Sequence, residues 1–191
     1  MDFKELVRRN RSYRRFHQGH EIGFAELRDL VDLARLTPSA ANRQPLRYIL
    51  SHYHEKNALI FQYLAWAAYF PDWEGPAEGE RPSAYIVILN DMNVSTSLDC
   101  DHGIAAQTIL LGAAARGLGG CMIAAIKKEG LRIALNIPVN YEIRLVIALG
   151  KPKETVAVDD VPVSGDIRYW RDESGVHHVP KRALDDLILD L

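Results

Sequence analysis

The stretch DHGIAAQTILLGAAARGLGG, residues 101–120, is the most apolar segment of the chain and decides the fold. Its length and its closing glycines predict a long helix. Apolar residues lie almost all the way round this helix, so we expect it to be buried on every side. In a chain of 191 residues, a second copy is the expected cover for one side. The small residues Ala105, Gly112 and Ala113 would permit close backbone approach there.

Shorter apolar segments on both sides of this helix predict a sheet with further helices. Strands are predicted at 47–51, 84–90 and 143–150, and CMIAAI (121–126) is either a short strand or a loop. Apolar residues at helical spacing predict helices at 2–10, 24–36, 55–68 and 127–136. Because strands and helices do not alternate regularly, the order indicates an α+β fold with a central mixed sheet of about four strands.

The C-terminal part of the chain is predicted to extend away from this body. Residues 151–180 are polar and irregular, so we expect an arm that docks elsewhere, for example on a partner subunit. Residues 181–190 predict a final helix whose Leu184, Leu187 and Ile188 need a surface to pack on. No internal boundary divides residues 1–191, which we expect to form one domain.

Composition excludes several classes of protein. The formal net charge of -2 argues against a nucleic-acid-binding protein, and no apolar run approaches the length of a membrane span. The N-terminal residues lack the apolar core of a signal peptide, and two cysteines cannot make a disulfide framework. These features predict a cytoplasmic protein that neither spans a membrane nor binds nucleic acid.

Two groups of basic residues could bind an anion. In residues 8–16, Arg11 and Arg14 flank Ser12, and guanidinium groups beside a hydroxyl suit a phosphate monoester. Lys181 and Arg182 open the predicted final helix, whose N-terminal N–H groups would also attract an anion. The alternative for both groups is an ordinary solvent-facing set of charges, and the sequence leaves it open.

The loop TPSAANRQP, residues 37–45, is longer than a helix-to-strand connection requires. Its side chains are small or polar, and a proline stiffens each end. Such a loop could bind the edge of a flat heteroaromatic ring, with amide groups contacting the polar atoms of the ring. A turn capped by its own Asn and Ser side chains is the alternative.

Three other motifs do not support a site. GLGG (117–120) lacks the third glycine of a dinucleotide-binding loop and follows a helix rather than a strand. The consecutive residues Asp99 to His102 would point apart on a helix, and His177-His178 lacks a third ligand at a usable spacing. We therefore predict no metal site, and no serine or cysteine lies in a nucleophile elbow.

Taken together, four blocks resemble the FMN-dependent nitroreductase family over nearly the whole chain. They are RSYRRF (11–16), TPSAANRQPLRYIL (37–50), GIAAQTILLGAAARGLGGCMI (103–123) and LVIALGKPKE (145–154). The short length and the ending VPKRALDDLIL (179–189) resemble a compact branch of that family. The resemblance implies an α+β fold with a mostly antiparallel mixed sheet flanked by helices. It also implies an intertwined homodimer with FMN at the subunit interface.

The resemblance also implies which residues contact FMN. Arg11, Ser12 and Arg14 match positions shared between the phosphate and the ring edge. Lys181 and Arg182 match the basic pair that holds the phosphate. The loop donated by the other subunit is matched by Pro38, Ser39, Ala40 and Asn42. The segment behind the isoalloxazine is matched by Cys121, Met122, Ile123 and Ala124.

The chain departs from the family in that last segment. Several nitroreductases have Pro-x-Glu-Gly there, whereas the matching positions here include Met122, Ala124 and Ala125. A backbone N–H from Ala124 would still reach the flavin, since that donor does not depend on the side chain. Residues 52–82, with Tyr69 and Trp73, have no clear counterpart and are expected to shape the substrate pocket.

The resemblance implies an NAD(P)H-dependent FMN oxidoreductase that reduces a small acceptor, such as a nitroaromatic or a quinone, with ping-pong kinetics. No side chain is nominated as catalytic, because the cofactor carries the chemistry. Arg14 is expected to favour the anionic reduced flavin. The alternatives are a flavin-binding module without turnover, a reductive dehalogenase or a flavin-destroying enzyme of the same fold, and an anion- or nucleic-acid-binding protein.

Overall fold

The computed structural model describes residues 2–96 and 100–190. Its helices are α1 (Phe3–Arg9), α2 (Phe24–Arg35), α3 (His54–Phe61), α4 (Asp101–Ala115) and α5 (Lys128–Ala134). Its strands are β1 (Leu46–Ser51), β2 (Ala84–Asp91), β3 (Gly119–Ile123), β4 (Tyr141–Gly150), β5 (Val156–Asp160), β6 (Trp170–Arg171) and β7 (His177–Lys181). The predicted strands at 47–51, 84–90 and 143–150 are therefore present, with slightly different ends.

Strands β1 to β4 form a four-stranded sheet, the main sheet, in the order β1-β2-β4-β3. Each neighbouring pair of these strands is antiparallel, and Ser12 adds one parallel bridge at Gly120 of β3, so the predicted α+β fold with a mostly antiparallel sheet is confirmed. All eight residues of β2 are buried because both faces of the sheet are covered. One face, with Ile86 and Ile147, packs on α2 and α4, and the other, with Tyr85 and Val146, packs on residues around α3 and α5.

Helix α4 ends earlier than residues 101–120 predicted, because Gly119 and Gly120 already belong to strand β3. Its small residues do permit close approach, but to α2 within the same chain. A Cβ added at Gly112 would lie 2.6 Å from Cδ1 of Leu33, nearer than any side chain can come. The helix is not buried all round by its own chain, since Ile104 and Leu111 remain half-buried.

Helix α3 is shorter than the 55–68 predicted, because the chain after Phe61 pairs with the segment that follows β3. Lys127 N donates to the carbonyl of Tyr63 at 2.8 Å, and Ala65 N donates to the carbonyl of Ala125 at 2.9 Å. These non-local hydrogen bonds replace the helical ones. They bring the segment after α3 beside the outer strand of the main sheet.

The chain after residue 150 does not leave the body as an irregular arm. Strands β5, β7 and β6 form a second sheet, the small sheet, in that order. Strand β7 pairs with β5 in parallel and with β6 antiparallel. Tyr169, just before β6, packs on Tyr69 of the same chain with ring centroids 4.8 Å apart.

The predicted final helix at 181–190 is wrong. Lys181 ends strand β7, and residues 182–190 form turns without any helix. Leu184, Leu187 and Ile188 are all exposed. A short helix is marginal in water unless its apolar face is buried, and the chain offers these residues no such surface. No helix within residues 2–96 and 100–190 is long and apolar enough to cross a bilayer.

Candidate functional site

The segment Arg11–Arg14 lies along the outer edge of β3. Ser12 forms a parallel bridge with Gly120, and Tyr13 N donates to the carbonyl of Gly120 at 3.1 Å. The close packing requires glycine, because a Cβ added at Gly119 would lie 2.5 Å from Cδ2 of Tyr13. The structure thus brings Arg11, Ser12 and Arg14 next to the segment that begins at Cys121.

Glu154 fixes the backbone of this segment. Its side chain is only 2% exposed and accepts hydrogen bonds from the backbone N–H groups of Arg14 and Arg15, the second at 3.2 Å. Its other oxygen lies 3.1 Å from Nη2 of Arg171. The carboxylate of Glu154 therefore binds backbone N–H groups and Arg171, and it does not neutralise the guanidinium group of Arg14.

The side chain of Arg14 contacts His177 and Tyr169 of the C-terminal region. Its Nη1 lies 3.2 Å from Nε2 of His177, and its guanidinium lies over the Tyr169 ring, 4.9 Å from the centroid. Burial, together with the charge of Arg14, lowers the pKa of His177 to about 4, so the imidazole is neutral at pH 7. Arginine can only donate, so Nε2 accepts and the proton of His177 lies on Nδ1.

That Nδ1–H is buried and has no hydrogen-bond partner among the described residues. An unpaired buried donor is uncommon in a folded protein. It lies in a cluster of rings, with Phe70 at 5.8 Å and Tyr169 at 5.1 Å between centroids. The cluster therefore encloses one unpaired polar atom.

Four cations of this region lack a carboxylate partner within the described part of the chain: Arg11, Arg14, Lys181 and Arg182. Arg11 instead donates to backbone carbonyls, those of Asn10 at 2.7 Å and Val7 at 3.0 Å. The neighbouring Arg15 differs, since its Nε lies 2.5 Å from Glu80. Unneutralised guanidinium groups beside an exposed hydroxyl are suited to bind an anion.

Strand β3 presents mostly backbone and apolar groups beside these cations. Cys121 is buried, and burial raises the pKa of its thiol to about 12, so it is not a reactive cysteine. Ile123 is also buried, whereas Met122 and Ala124 are exposed. The alternation follows from the strand itself, which turns successive side chains to opposite faces.

The loop at 37–45 is rigid and strained. Asp101, buried in the first turn of α4, accepts from Ser39 Oγ at 2.6 Å and from Ala40 N at 3.0 Å. Three of its residues that are not glycine have left-handed backbone, with φ of 50° at Ala41, 54° at Asn42 and 51° at Gln44. Strain of this kind persists where the surroundings enforce it, often at functional sites.

The loop lines a cavity of about 210 Å³ with Pro38, Tyr48 and Asp101. The hydroxyl of Ser39 is already used within the loop, because it also accepts from Gln44 N at 2.9 Å. The amides of Asn42 and Gln44 are exposed. No hydrogen bond or ion pair of the described residues joins this loop to the Arg11–Arg14 segment of the same chain.

The comparisons with known proteins agree with this fold. The family model described as "Nitroreductase family" matches residues 89–151. An Archaeoglobus fulgidus protein named "Putative NADH dehydrogenase/NAD(P)H nitroreductase" is 27% identical over 150 residues, 73% of this chain and 80% of that protein. A Clostridium novyi NT nitroreductase family structure is 25% identical, with a TM-score of 0.66 over 80% of this chain and 88% of its own.

The chain is similar to the nitroreductase family in sequence and in fold. The predicted resemblance is thus confirmed. The same fold recurs in an Exiguobacterium sibiricum structure described as "a putative nitroreductase in complex with FMN". That chain is 20% identical and has a TM-score of 0.67, with 81% of this chain and 90% of that one covered.

Lys181 and Arg182 are not at a helix N-terminus, which corrects the prediction. Lys181 is the last residue of β7, where its carbonyl accepts from Val161 N at 3.0 Å, and both side chains are exposed. No hydrogen bond joins them to Arg11 or Arg14 among the described residues. Their predicted role on the phosphate stays a prediction.

The histidine and acidic motifs form no metal centre among the residues that the structure describes. His177 and His178 lie on opposite sides of β7, and both nitrogens of His178 contact carboxylates, Asp159 at 2.8 Å and Asp172 at 3.2 Å. Asp99 lies outside the described residues. Among residues 2–96 and 100–190, no three His, Cys, Asp or Glu side chains could together hold a metal ion.

Three residues that surround Arg14 were not predicted to belong to the site: Tyr169, Arg171 and His177. They lie in the part predicted to be irregular. The signal that could have found them is the mixture of rings and charges in RYWRDESGVHH (168–178), which is unusual for a solvated arm. Arg171 lies over the rings of Trp73 at 4.6 Å and Phe70 at 5.1 Å, which places the expected pocket residues beside this cluster.

Proposed function

We propose that this protein is an FMN-dependent oxidoreductase that passes electrons from NAD(P)H to a small acceptor such as a nitroaromatic or a quinone. The observation that carries the proposal is the pair Arg11 and Arg14, whose guanidinium groups flank Ser12 on the edge of β3 and have no carboxylate partner among the described residues. The family, and the names of the relative from A. fulgidus and of the E. sibiricum complex, support the choice of cofactor and donor.

The residues present fit FMN by their chemistry. A phosphate monoester carries nearly two negative charges and accepts several hydrogen bonds. Arg11, Arg14 and the exposed hydroxyl of Ser12 supply matching donors, and Lys181 and Arg182 add two more cations. In this proposal Met122, Ile123 and the backbone of Cys121 and Ala124 lie behind the isoalloxazine.

Bound FMN would supply reversible hydride acceptance, which no side chain of the chain offers. The side chains would orient the reactants and set the local charge. The guanidinium group of Arg14 would stabilise negative charge near it.

The proposal includes a homodimer with the site at the subunit interface. The 37–45 loop is not joined to the Arg11–Arg14 segment of its own chain in the described structure. Pro38, Ser39, Ala40 and Asn42 would therefore meet the arginines of a partner. The half-buried Ile104 and Leu111 on α4 would lie against the second copy.

NAD(P)H and the acceptor would use the same pocket one after the other. NAD(P)H would bind, be oxidised and leave before the acceptor enters. Steady-state rates measured at several concentrations of both should therefore give parallel double-reciprocal lines, as expected of a ping-pong mechanism. Intersecting lines would instead require both molecules to bind together.

The first experiment is a visible spectrum of the purified protein, followed by anaerobic addition of NADH and then NADPH. We expect flavin absorption at about one FMN per subunit and bleaching by at least one donor. Flavin that never bleaches would indicate a flavin-binding module without turnover. A colourless protein that cannot be reconstituted with FMN would refute the proposal.

Replacing Arg14 by Gln tests the cationic site directly. Loss of charged hydrogen bonds of about 1.5–3 kcal/mol should weaken FMN binding by roughly 10- to 150-fold, measured by flavin fluorescence titration. The matched control is Arg168→Gln, because Arg168 is exposed and paired with Asp166 at 2.7 Å. Unchanged FMN affinity and flavin potential in the Arg14 variant would remove that role.

A further inference from the structure

Arg14 is held at two points by residues of the C-terminal region. Glu154 accepts a hydrogen bond from its backbone N–H, and Nε2 of His177 lies 3.2 Å from Nη1 of its side chain. The backbone N–H of His177 donates in turn to the carbonyl of Thr155 at 2.9 Å, directly after Glu154. The short segment before β5 therefore fixes the main chain of Arg14 and, through His177, one end of its guanidinium group.

The other nitrogens of this guanidinium group remain open to a ligand. Nε and Nη2 of Arg14 form no hydrogen bond with any residue that the structure describes, and neither atom is buried. The ring of Tyr169 lies against the guanidinium, 4.9 Å from its carbon to the ring centroid. With Nη1 directed at His177, two donors of Arg14 stay accessible near the exposed side chain of Ser12.

The imidazole of His177 is less suited to its surroundings than an apolar ring would be. It is 1% exposed and packs on the rings of Phe70 and Tyr169, an environment that also suits phenylalanine. Its Nδ1–H is buried without a partner among the described residues, which destabilises the folded state. Packing alone would therefore favour an apolar side chain, and the acceptor Nε2 is what histidine adds.

A neutral acceptor at this position orients Arg14 without cancelling its charge. Burial, followed by the charge of Arg14, lowers the pKa of His177 to about 4, so the ring carries no charge at pH 7. A carboxylate in the same place would form an ion pair with the guanidinium and reduce its attraction for an anionic ligand. The nearby carboxylate of Glu154 instead faces Arg171 at 3.1 Å.

We propose that His177 is a positioning residue that orients Arg14 toward the anionic groups of bound FMN. Its Nε2 fixes Nη1 of Arg14, which leaves Nε and Nη2 to donate to the ligand. His177 itself touches neither cofactor nor substrate. This inference rests on the proposed function, because it takes FMN as the anion that Arg14 binds.

The first test is FMN affinity at pH 7, measured by flavin fluorescence titration of the full chain with no electron donor present. His177→Phe should weaken binding about three- to tenfold, the usual effect of one lost hydrogen bond, while it keeps or raises the Tm. His177→Gln should restore most of the affinity, because its Oε1 can accept in place of Nε2. The control is His178→Asn on the opposite side of β7, which should leave the FMN affinity unchanged.

A double-mutant cycle shows whether His177 acts through Arg14. In a chain that already carries Arg14→Gln, adding His177→Phe should change the FMN affinity by less than about twofold, because the interaction is already lost. A full further loss in the double variant would mean that His177 contacts FMN itself. Equal affinity of His177→Phe and the natural protein would mean that the acceptor is not needed. Either result overturns the inference.

The protonation state of the His177 ring gives a test that does not depend on affinity. NMR of the ring nitrogens in the natural protein at pH 7 should place the proton on Nδ1, and Arg14→Gln should shift the Nε2 resonance. A proton on Nε2 would overturn the positioning role even where FMN binds normally. A natural protein that does not bind FMN would instead refute the proposed function, and with it the ligand named here.

Discussion

The main sheet and the small sheet are held together by different interactions, and the arginine cluster lies where they meet. In the main sheet, all of β2 and most of β4 are buried between two apolar layers. In the small sheet, β5 has no buried residue, and the close contacts are those of charged groups and rings. Burial of apolar side chains, which has no preferred direction, stabilises the main sheet. Hydrogen bonds and ion pairs, which are directional, set the geometry around Arg14.

The largest expected effect lies in the main sheet. Ile147→Ala removes a fully buried side chain from β4, so the free energy of unfolding should fall by about 2–5 kcal/mol. The control is Val158→Ala on β5 of the small sheet, where the side chain is half exposed and the change should stay within about 0.5 kcal/mol. Urea unfolding measures both. Equal losses would show that apolar burial matters equally in the two sheets.

A smaller effect is expected where the two sheets join. Glu154→Gln removes the charge that faces Arg171 and weakens the acceptor of two backbone N–H groups, so we expect a loss of about 1–3 kcal/mol. Glu173→Gln is the control, because Glu173 is exposed and has no ion pair in the described structure. Thermal unfolding of both variants tests this. A Glu154 variant as stable as its control would contradict the assigned role.

The smallest effect is a dependence on pH within the small sheet. The carboxylates of Asp172 and Asp159, hydrogen-bonded to the His178 ring, raise the pKa of that ring above its ordinary value of 6.5. Its stabilising contribution is therefore fully present below pH 6.5 and is lost as the pH rises through the folded-state pKa. The Tm difference between the natural protein and His178→Asn should accordingly shrink from pH 5 to pH 9. A constant difference would mean that the ring acts only by packing on Trp170.

The pKa of His177, on the other side of β7, is shifted in the opposite direction to that of His178. Its pKa is lowered to about 4, so protonation favours the unfolded chain and stability falls as the pH drops below 6.5. His177→Phe should remove that acid-side loss while His178→Asn leaves it in place, as measured by Tm between pH 4.5 and 7. If both variants changed the same side of the profile, the assignment of the two rings would be wrong.

The main sheet could be predicted from the sequence because its signal is local. Apolar runs at 84–90 and 143–150 indicate buried strands directly, and the apolar stretch at 101–120 indicates a covered helix. The small sheet could not, since β5 pairs in parallel with β7 some twenty residues later and neither strand is an apolar run. The end of α3 could not be predicted either, because non-local hydrogen bonds at Tyr63 and Ala65 determine where the helix stops.

The candidate site, like the fold, could be predicted only where its signal is local in the sequence. The motif at 11–16 indicated Arg11, Ser12 and Arg14, and the structure places them beside β3. Glu154 and His177 act through contacts with residues about 140 and 163 positions away, which no local pattern encodes. The prediction of a final helix was wrong because the apolar spacing at Leu184 and Leu187 stabilises a helix only when another surface covers these residues.

The order of the two sheets along the chain has a consequence for synthesis on the ribosome. All four strands of the main sheet end by Gly150, whereas β7 ends only at Lys181. At about 5–20 residues per second, roughly 2–6 s separate the synthesis of these two residues. Arg11 and Arg14 can therefore settle on β3 before Tyr169 and His177 exist. Until those two residues are made, the guanidinium of Arg14 lacks its contacts with both rings.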